Sequence, residues 1–215
     1  MPNYLKKSIA EITKKSKKLT ELEFLLDIIP PMSEDGPWIA GGSLLRTYLN
    51  LPLTSDLDIF FKNEAQFLAY REQFRLKNSG RDSNGKYTIV KEEQQSWFTL
   101  ETIKCFDAQE YKIQLVCKNY YTGPCDLLDH FDLDICQLAY DGKNLFLEQD
   151  VLKNIDSRQM HLVKTAYPQK FMQRCIKYSK LGFNISSEEI QRFFEMTKTI
   201  PLPTLETSEE SYAEQ

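Results

Sequence analysis

The stretch W-I-A-G-G-S-L-L-R-T-Y-L-N-L-P-L-T-S-D-L-D-I-F-F fills residues 38–61 and decides the fold. A short apolar run, Trp38–Ala40, ends on Gly41, Gly42 and Ser43. A helical stretch over 44–49 and a turn around Pro52 follow, and Ser55 leads into Asp56-Leu57-Asp58-Ile59-Phe60-Phe61. Side chains alternate across a strand, so Asp56 and Asp58 share one face while Leu57 and Ile59 share the other. Two carboxylates on one face repel each other unless a cation sits between them. Mg²⁺ takes hard oxygen ligands of this kind, commonly one or two carboxylates plus phosphate oxygens. Glycines let the backbone approach a ligand closely, and the first amides of a helix are unpaired and aimed at anions. Ser43 adds a hydroxyl. The fragment reads as a triphosphate cradle beside a metal site.

Working outward, Thr20 and Glu23 have capping-box spacing for a helix through Leu25, Leu26 and Ile29, which stops at Pro30-Pro31. The lysine-rich residues 3–18 before it are helix-permissive. Asn63 is a candidate N-cap for a helix over 64–74. The turn-rich residues 78–86 precede strand-like runs at 87–91, 97–104 and 111–117. A helical turn over 125–130 leads to F-D-L-D-I-C-Q-L-A-Y at 131–140. This reads as a strand carrying a second Asp-x-Asp, Asp132 and Asp134, and a hairpin turn at 141–144 follows. Helical patterns over 169–181, ended by Gly182, and from Ser186/Ser187 to Thr197 complete the chain before an acidic tail. The order of elements predicts an α+β fold: a mixed sheet with helices on one face, followed by a small helical C-terminal region. The expected divisions are an N-terminal helical segment (1–31), a catalytic domain (32–150), a helical region (151–199) and a disordered tail (200–215).

This pattern resembles the DNA polymerase β nucleotidyltransferase superfamily, and within it the heads of poly(A) polymerases and CCA-adding enzymes. There, Gly-Gly/Ser before a helix is followed by Asp-x-Asp on the next strand. The matching residues are Gly41, Gly42, Ser43, Asp56 and Asp58. The resemblance implies transfer of a nucleoside monophosphate from a nucleoside triphosphate, with Mg²⁺ (or Mn²⁺) held by Asp56, Asp58 and a third carboxylate. Either Asp132 or Asp134 is open for that place. Asp132 comes first, because its Asp-Leu-x-Ile segment resembles one downstream of the catalytic strands in these heads. The strand before it offers only Gln114 as an alternative. Ser55, Arg46, Arg174 and Lys177 join Gly41, Gly42 and Ser43 as expected nucleotide contacts. His130-Phe131 stand where CCA-adding enzymes carry two arginines, which departs from their base selection. The expected acceptor is RNA, with protein as the other option, and the expected form is a minimal stand-alone head. A non-catalytic binder that keeps this fold, whether a pseudoenzyme or antitoxin-like, is the rival reading.

Composition narrows the setting. The net charge of −4 gives no global nucleic-acid footprint, although lysines gather in the first eighteen residues and glutamates in the last ten. Five cysteines, Cys105, Cys117, Cys125, Cys136 and Cys175, without a Cys-x-x-Cys pair, argue against a disulfide framework or zinc cluster. Reduced thiols and the lack of a long apolar run predict a cytoplasmic protein that makes no membrane contact.

Overall fold

The computed structural model describes residues 4–8, 19–78, 87–94, 98–105, 110–164 and 168–198. The expected acidic tail, the turn at 79–86 and most of the lysine-rich N-terminus lie outside the described residues. Among those described, eight strands form one mixed sheet in the order β1-β8-β7-β2-β3-β6-β5-β4. The strands are β1 (Tyr4–Ser8), β2 (Trp38–Ala40), β3 (Leu57–Phe60), β4 (Tyr87–Gln94), β5 (Phe98–Cys105), β6 (Glu110–Val116), β7 (Leu138–Tyr140) and β8 (Asn144–Glu148). Every pairing is antiparallel except β3 with β6, which run parallel with Asp58 opposite Gln114. The helices are α1 (Leu19–Ile28), α2 (Gly42–Tyr48), α3 (Glu64–Asn78), α4 (Pro124–Leu128), α5 (Val151–Asp156), α6 (Pro168–Ser179) and α7 (Ser187–Thr197).

The period-2 pattern of the strands divides the core. Leu57 and Ile59 of β3, Ile113 and Leu115 of β6, and Leu145 and Leu147 of β8 enter the larger apolar cluster, where α1, α2, α3, α5, α6 and α7 contribute their buried faces. Trp38 and Ala40 of β2, Ala139 of β7 and Phe146 of β8 point the other way. There Leu127 and Leu128 of α4 and the ring of Tyr121 cover them. One short helix therefore closes the second face. Asp58 and Phe60 alternate with the buried Leu57 and Ile59, so the acidic side of β3 faces away from the main core.

Local signals account for most boundaries. The Asn63 side chain accepts from the Gln66 amide at 2.8 Å, and Gln66 Oε1 accepts from the Lys62 amide at 2.8 Å, which caps α3. Ser186 Oγ accepts from the Glu189 amide at the start of α7. Gly182, at φ +86, closes α6 by donating to the Ser179 carbonyl. α1 begins at Leu19, one residue before the expected cap, and buries Leu22, Leu25 and Ile28 at helical spacing.

Two expectations need correction. Residues 4–8 form an edge strand, not a helix: Leu5 packs on the main cluster, Tyr4 packs on the other, and the backbone pairs antiparallel with β8. The single strand expected over 131–140 is broken into an isolated bridge at Leu133, a 3₁₀ turn at Asp134–Cys136 and only then β7. The cause is Asp134, whose Oδ1 accepts from the Ile135 amide at 2.7 Å and the His161 amide at 2.8 Å. A carboxylate that captures nearby amides competes with a sheet ladder.

Because Ile59 is fully buried in the strand that carries Asp58, Ile59→Ala is expected to cost about 2–5 kcal/mol. A urea unfolding midpoint lowered without a change in slope is the check.

Candidate active site

The turn after β2 is built for close approach. Gly41 adopts φ +88, and a Cβ placed on it would lie 2.9 Å from Phe131 Cε1. A Cβ on Gly42 would lie 3.1 Å from the Tyr178 hydroxyl. The Gly41 amide donates to the Leu138 carbonyl at 3.0 Å, which ties the turn to β7. α2 then runs for only seven residues, with Ser43 buried on its inner side.

The loop from α2 to β3 is fastened at three points. Arg46 Nη1 donates to the Pro52 carbonyl at 3.1 Å, the Leu53 amide donates to Glu21 Oε2 of α1 at 2.8 Å, and Leu53 itself is buried. This fastening delivers Ser55, Asp56 and Asp58 to the wall of a cavity of about 220 Å³. Gly42 and Gln114 line it on the sheet side, Phe131, Asp132 and Cys136 line it from the segment before β7, and Arg174, Lys177 and Tyr178 line it from α6.

The electrostatics are those of crowded carboxylates facing cations. Asp58 is pushed up from 3.8 to about 7, first by burial and then by the charge of Asp56, while Lys177 and Arg174 oppose the shift. Burial also raises Asp56, against the pull of Lys112 and Lys177. Arg174 Nη1 is paired with Asp132 Oδ2. The Cys136 thiol donates to the Tyr178 hydroxyl at 3.1 Å, and burial pushes the thiol up to about 12. It therefore stays protonated and supplies no thiolate. Among the described residues no hydrogen-bond partner meets the buried hydroxyls of Ser43 and Ser55.

Of the residues singled out in the sequence, Gly42, Ser55, Asp56, Asp58, Asp132, Arg174 and Lys177 share this cavity. Gly41 shapes its edge. Ser43 and Arg46 are not among the lining residues, and Arg46 serves the loop instead. Asp134 is turned away: besides its two amide donors, its Oδ2 accepts from Asn154 Nδ2 at 2.8 Å. Among the described residues no group of three or more His, Cys, Asp or Glu side chains is placed to hold a metal ion. The third carboxylate is present in the cavity, but a guanidinium holds it. Phe131, Cys136 and Tyr178 were not anticipated as cavity walls. Their meeting depends on contacts tens of residues apart, and only Tyr178, on the apolar stripe of its helix, left a trace in the pattern.

The family model described as Gad2, Gabija anti-defense 2 family protein, matches residues 3–158. The chain belongs to the Gad2 family. No curated protein matches it. Among solved structures, it is similar to the Thermotoga maritima CCA-adding enzyme complexed with tRNA (12% identity, TM-score 0.56). It is also similar to CCA-adding enzyme complexes with CTP (14%, 0.52) and with ATP (11%, 0.56). The likeness covers 90% of this chain in each case but only 46%, 46% and 45% of those chains. This Gad2 member thus has the fold of the nucleotidyltransferase head and spans less than half the length of those enzymes.

The raised Asp58 carboxyl sets a sign for stability. Between pH 3.8 and about 7 the folded protein keeps a proton that the unfolded chain releases, so stability falls as pH rises through that window. Asp58→Asn removes the ionisation. In chelator-treated protein it is expected to melt several degrees above the parent at pH 8, with the gap closing toward pH 5. Thermal melts across that range check the slope.

Proposed function

We propose that this chain is a metal-dependent nucleotidyltransferase, acting in the cytoplasm, that moves a nucleoside monophosphate from a nucleoside triphosphate to an acceptor hydroxyl, with RNA first among acceptors and protein second. The observation that carries the reading is the opposition of Asp56 and Asp58 to Arg174 and Lys177 across one cavity, in the fold shared with CCA-adding enzymes. Those neighbours are complexes with CTP, ATP and tRNA, which supports a nucleotide and an RNA as the substrate classes.

The donor set fits a hard divalent cation at Asp56 and Asp58. Asp58 is raised by burial and then by the charge of its half-buried neighbour Asp56, and Mg²⁺ or Mn²⁺ accepts such a pair with water and phosphate filling the remaining positions. Bound there, the ion would neutralise phosphate charge and acidify the attacking hydroxyl. The chain's own groups do the rest. Arg174 and Lys177 offset charge on the triphosphate, and Gly42 leaves room for a phosphate against the turn. The acceptor oxygen bonds to the α-phosphorus, the bond from that phosphorus to the bridging oxygen breaks, pyrophosphate leaves with the electron pair, and the hydroxyl proton passes to solvent.

The family description, Gabija anti-defense, supplies a setting, and we read the transfer as the means of opposing that defence. One observation favours a second reading, a binder that has kept the fold without catalysis: Asp132 is held by Arg174, and no three-carboxylate group is assembled among the described residues.

Incubation with each of the four labelled triphosphates, Mg²⁺ or Mn²⁺, and RNA or protein acceptors is expected to yield one labelled product class. Asp58→Ala should lower that yield by at least ~100-fold, the scale of losing a preorganised electrostatic group. The capacity to oppose the Gabija defence in cells that carry it should fall with it. Opposition that survives Asp58→Ala would select the binding reading.

A further inference from the structure

We propose that the outer face of α6 is the track on which a single-stranded RNA acceptor lies as its end enters the catalytic cavity; this rests on the transferase reading above. A second cavity, also about 220 Å³, is lined by Lys170, Gln173, Arg174 and Lys177. All four come from α6. Residues three and four apart lie one above another on a helix, so these four make one stripe, repeating about once per 5.4 Å turn.

The two cavities share a wall. Arg174 and Lys177 line both, so the stripe leads out of the site that holds Asp56 and Asp58. Among the described residues no acidic side chain lines the outer cavity, and Arg174, of the four, is paired with the carboxylate of Asp132 in the inner one. In a chain of net charge −4 this is a local concentration of positive charge that the overall composition conceals. The buried side of α6 carries Phe171, Cys175 and Tyr178, so its apolar packing uses a different face from the stripe. Beside it, Met172 and Ile176 stand 39% and 58% exposed. A row of cations with exposed apolar groups alongside suits a chain that has a phosphate at every residue and flat bases between them.

The direction of the stripe favours RNA over an acidic peptide. A hydroxyl that reaches the α-phosphate beside Asp58 must be followed by the rest of its polymer. The only row of cations lining both cavities, among the described residues, is this one. On a 3′-terminal acceptor, the phosphates next to the reacting end would meet Arg174 and Lys177 first and Lys170 further out.

The test is fluorescence anisotropy with a short fluorescein-labelled single-stranded oligoribonucleotide. Full-length parent protein is compared with Lys170→Glu, Gln173→Glu and the conservative Lys170→Arg, and binding of each of the four nucleoside triphosphates is titrated in parallel. RNA affinity is expected to weaken about tenfold or more in the glutamate variants, and the salt slope to flatten by ~0.7 for each phosphate that the helix no longer neutralises. Lys170→Arg should bind RNA as the parent does, and glutamate variants that bind triphosphate as the parent does exclude a folding defect as the cause. RNA affinity unchanged by both glutamate variants would overturn the inference. So would a labelled acidic peptide that binds as tightly as RNA and is released by Lys170→Glu. Failure of the parent to bind any of the four triphosphates, with RNA binding still sensitive to Lys170→Glu, would sink the transferase reading and leave the RNA surface standing.

Discussion

Two carboxylates, Asp56 just before β3 and Asp58 within it, are held half-buried beside one another, and much of the surrounding structure serves to make that possible. A buried carboxylate loses water, and a neighbouring like charge adds to the loss. Leu57 and Ile59 between and beside them are driven into the main core, which leaves the acidic residues no freedom to turn outward. The loop before β3 is pinned by Glu21 and Arg46, and α6 brings Arg174 and Lys177 to the facing wall. The strain is electrostatic and is relieved by a proton on Asp58 or by positive charge, whether from the protein or from a ligand.

Period and punctuation made much of this legible in advance. The alternation through β3, the Gly41-Gly42 turn, Asn63 at the start of α3 and Gly182 at the end of α6 are local features, and local features survive in the folded chain because the backbone has few other ways to satisfy them. The placement of Asp56 and Asp58 followed from the alternation alone. What sequence reasoning missed was non-local or was settled by competition. Residues 4–8 have the lysines of an exposed helix, yet they pair with a strand more than 130 residues away. Asp134 has the same spacing from Asp132 as Asp58 from Asp56, but it captures the amides of Ile135 and His161 and breaks the strand. The Cys136–Tyr178 hydrogen bond joins residues 42 apart.

The site is also divided along the chain. The turn, the paired carboxylates and Asp132 fall within the region that marks the chain as a Gad2 member, residues 3–158. The cationic wall on α6 lies beyond it. The family match therefore reaches the acidic half of the candidate site and stops short of the basic half. Fold similarity spans both halves, since the CCA-adding enzymes align with 90% of the chain.

Arg174 belongs to both cavities and also pairs with Asp132. One guanidinium cannot satisfy two anions and a carboxylate equally, so occupancy on one side changes what it offers the other. Anions bound in the two cavities would thus be thermodynamically linked through this shared wall, Arg174 with Lys177. Whatever factor one occupant imposes on the affinity of the second, the second would impose on the first.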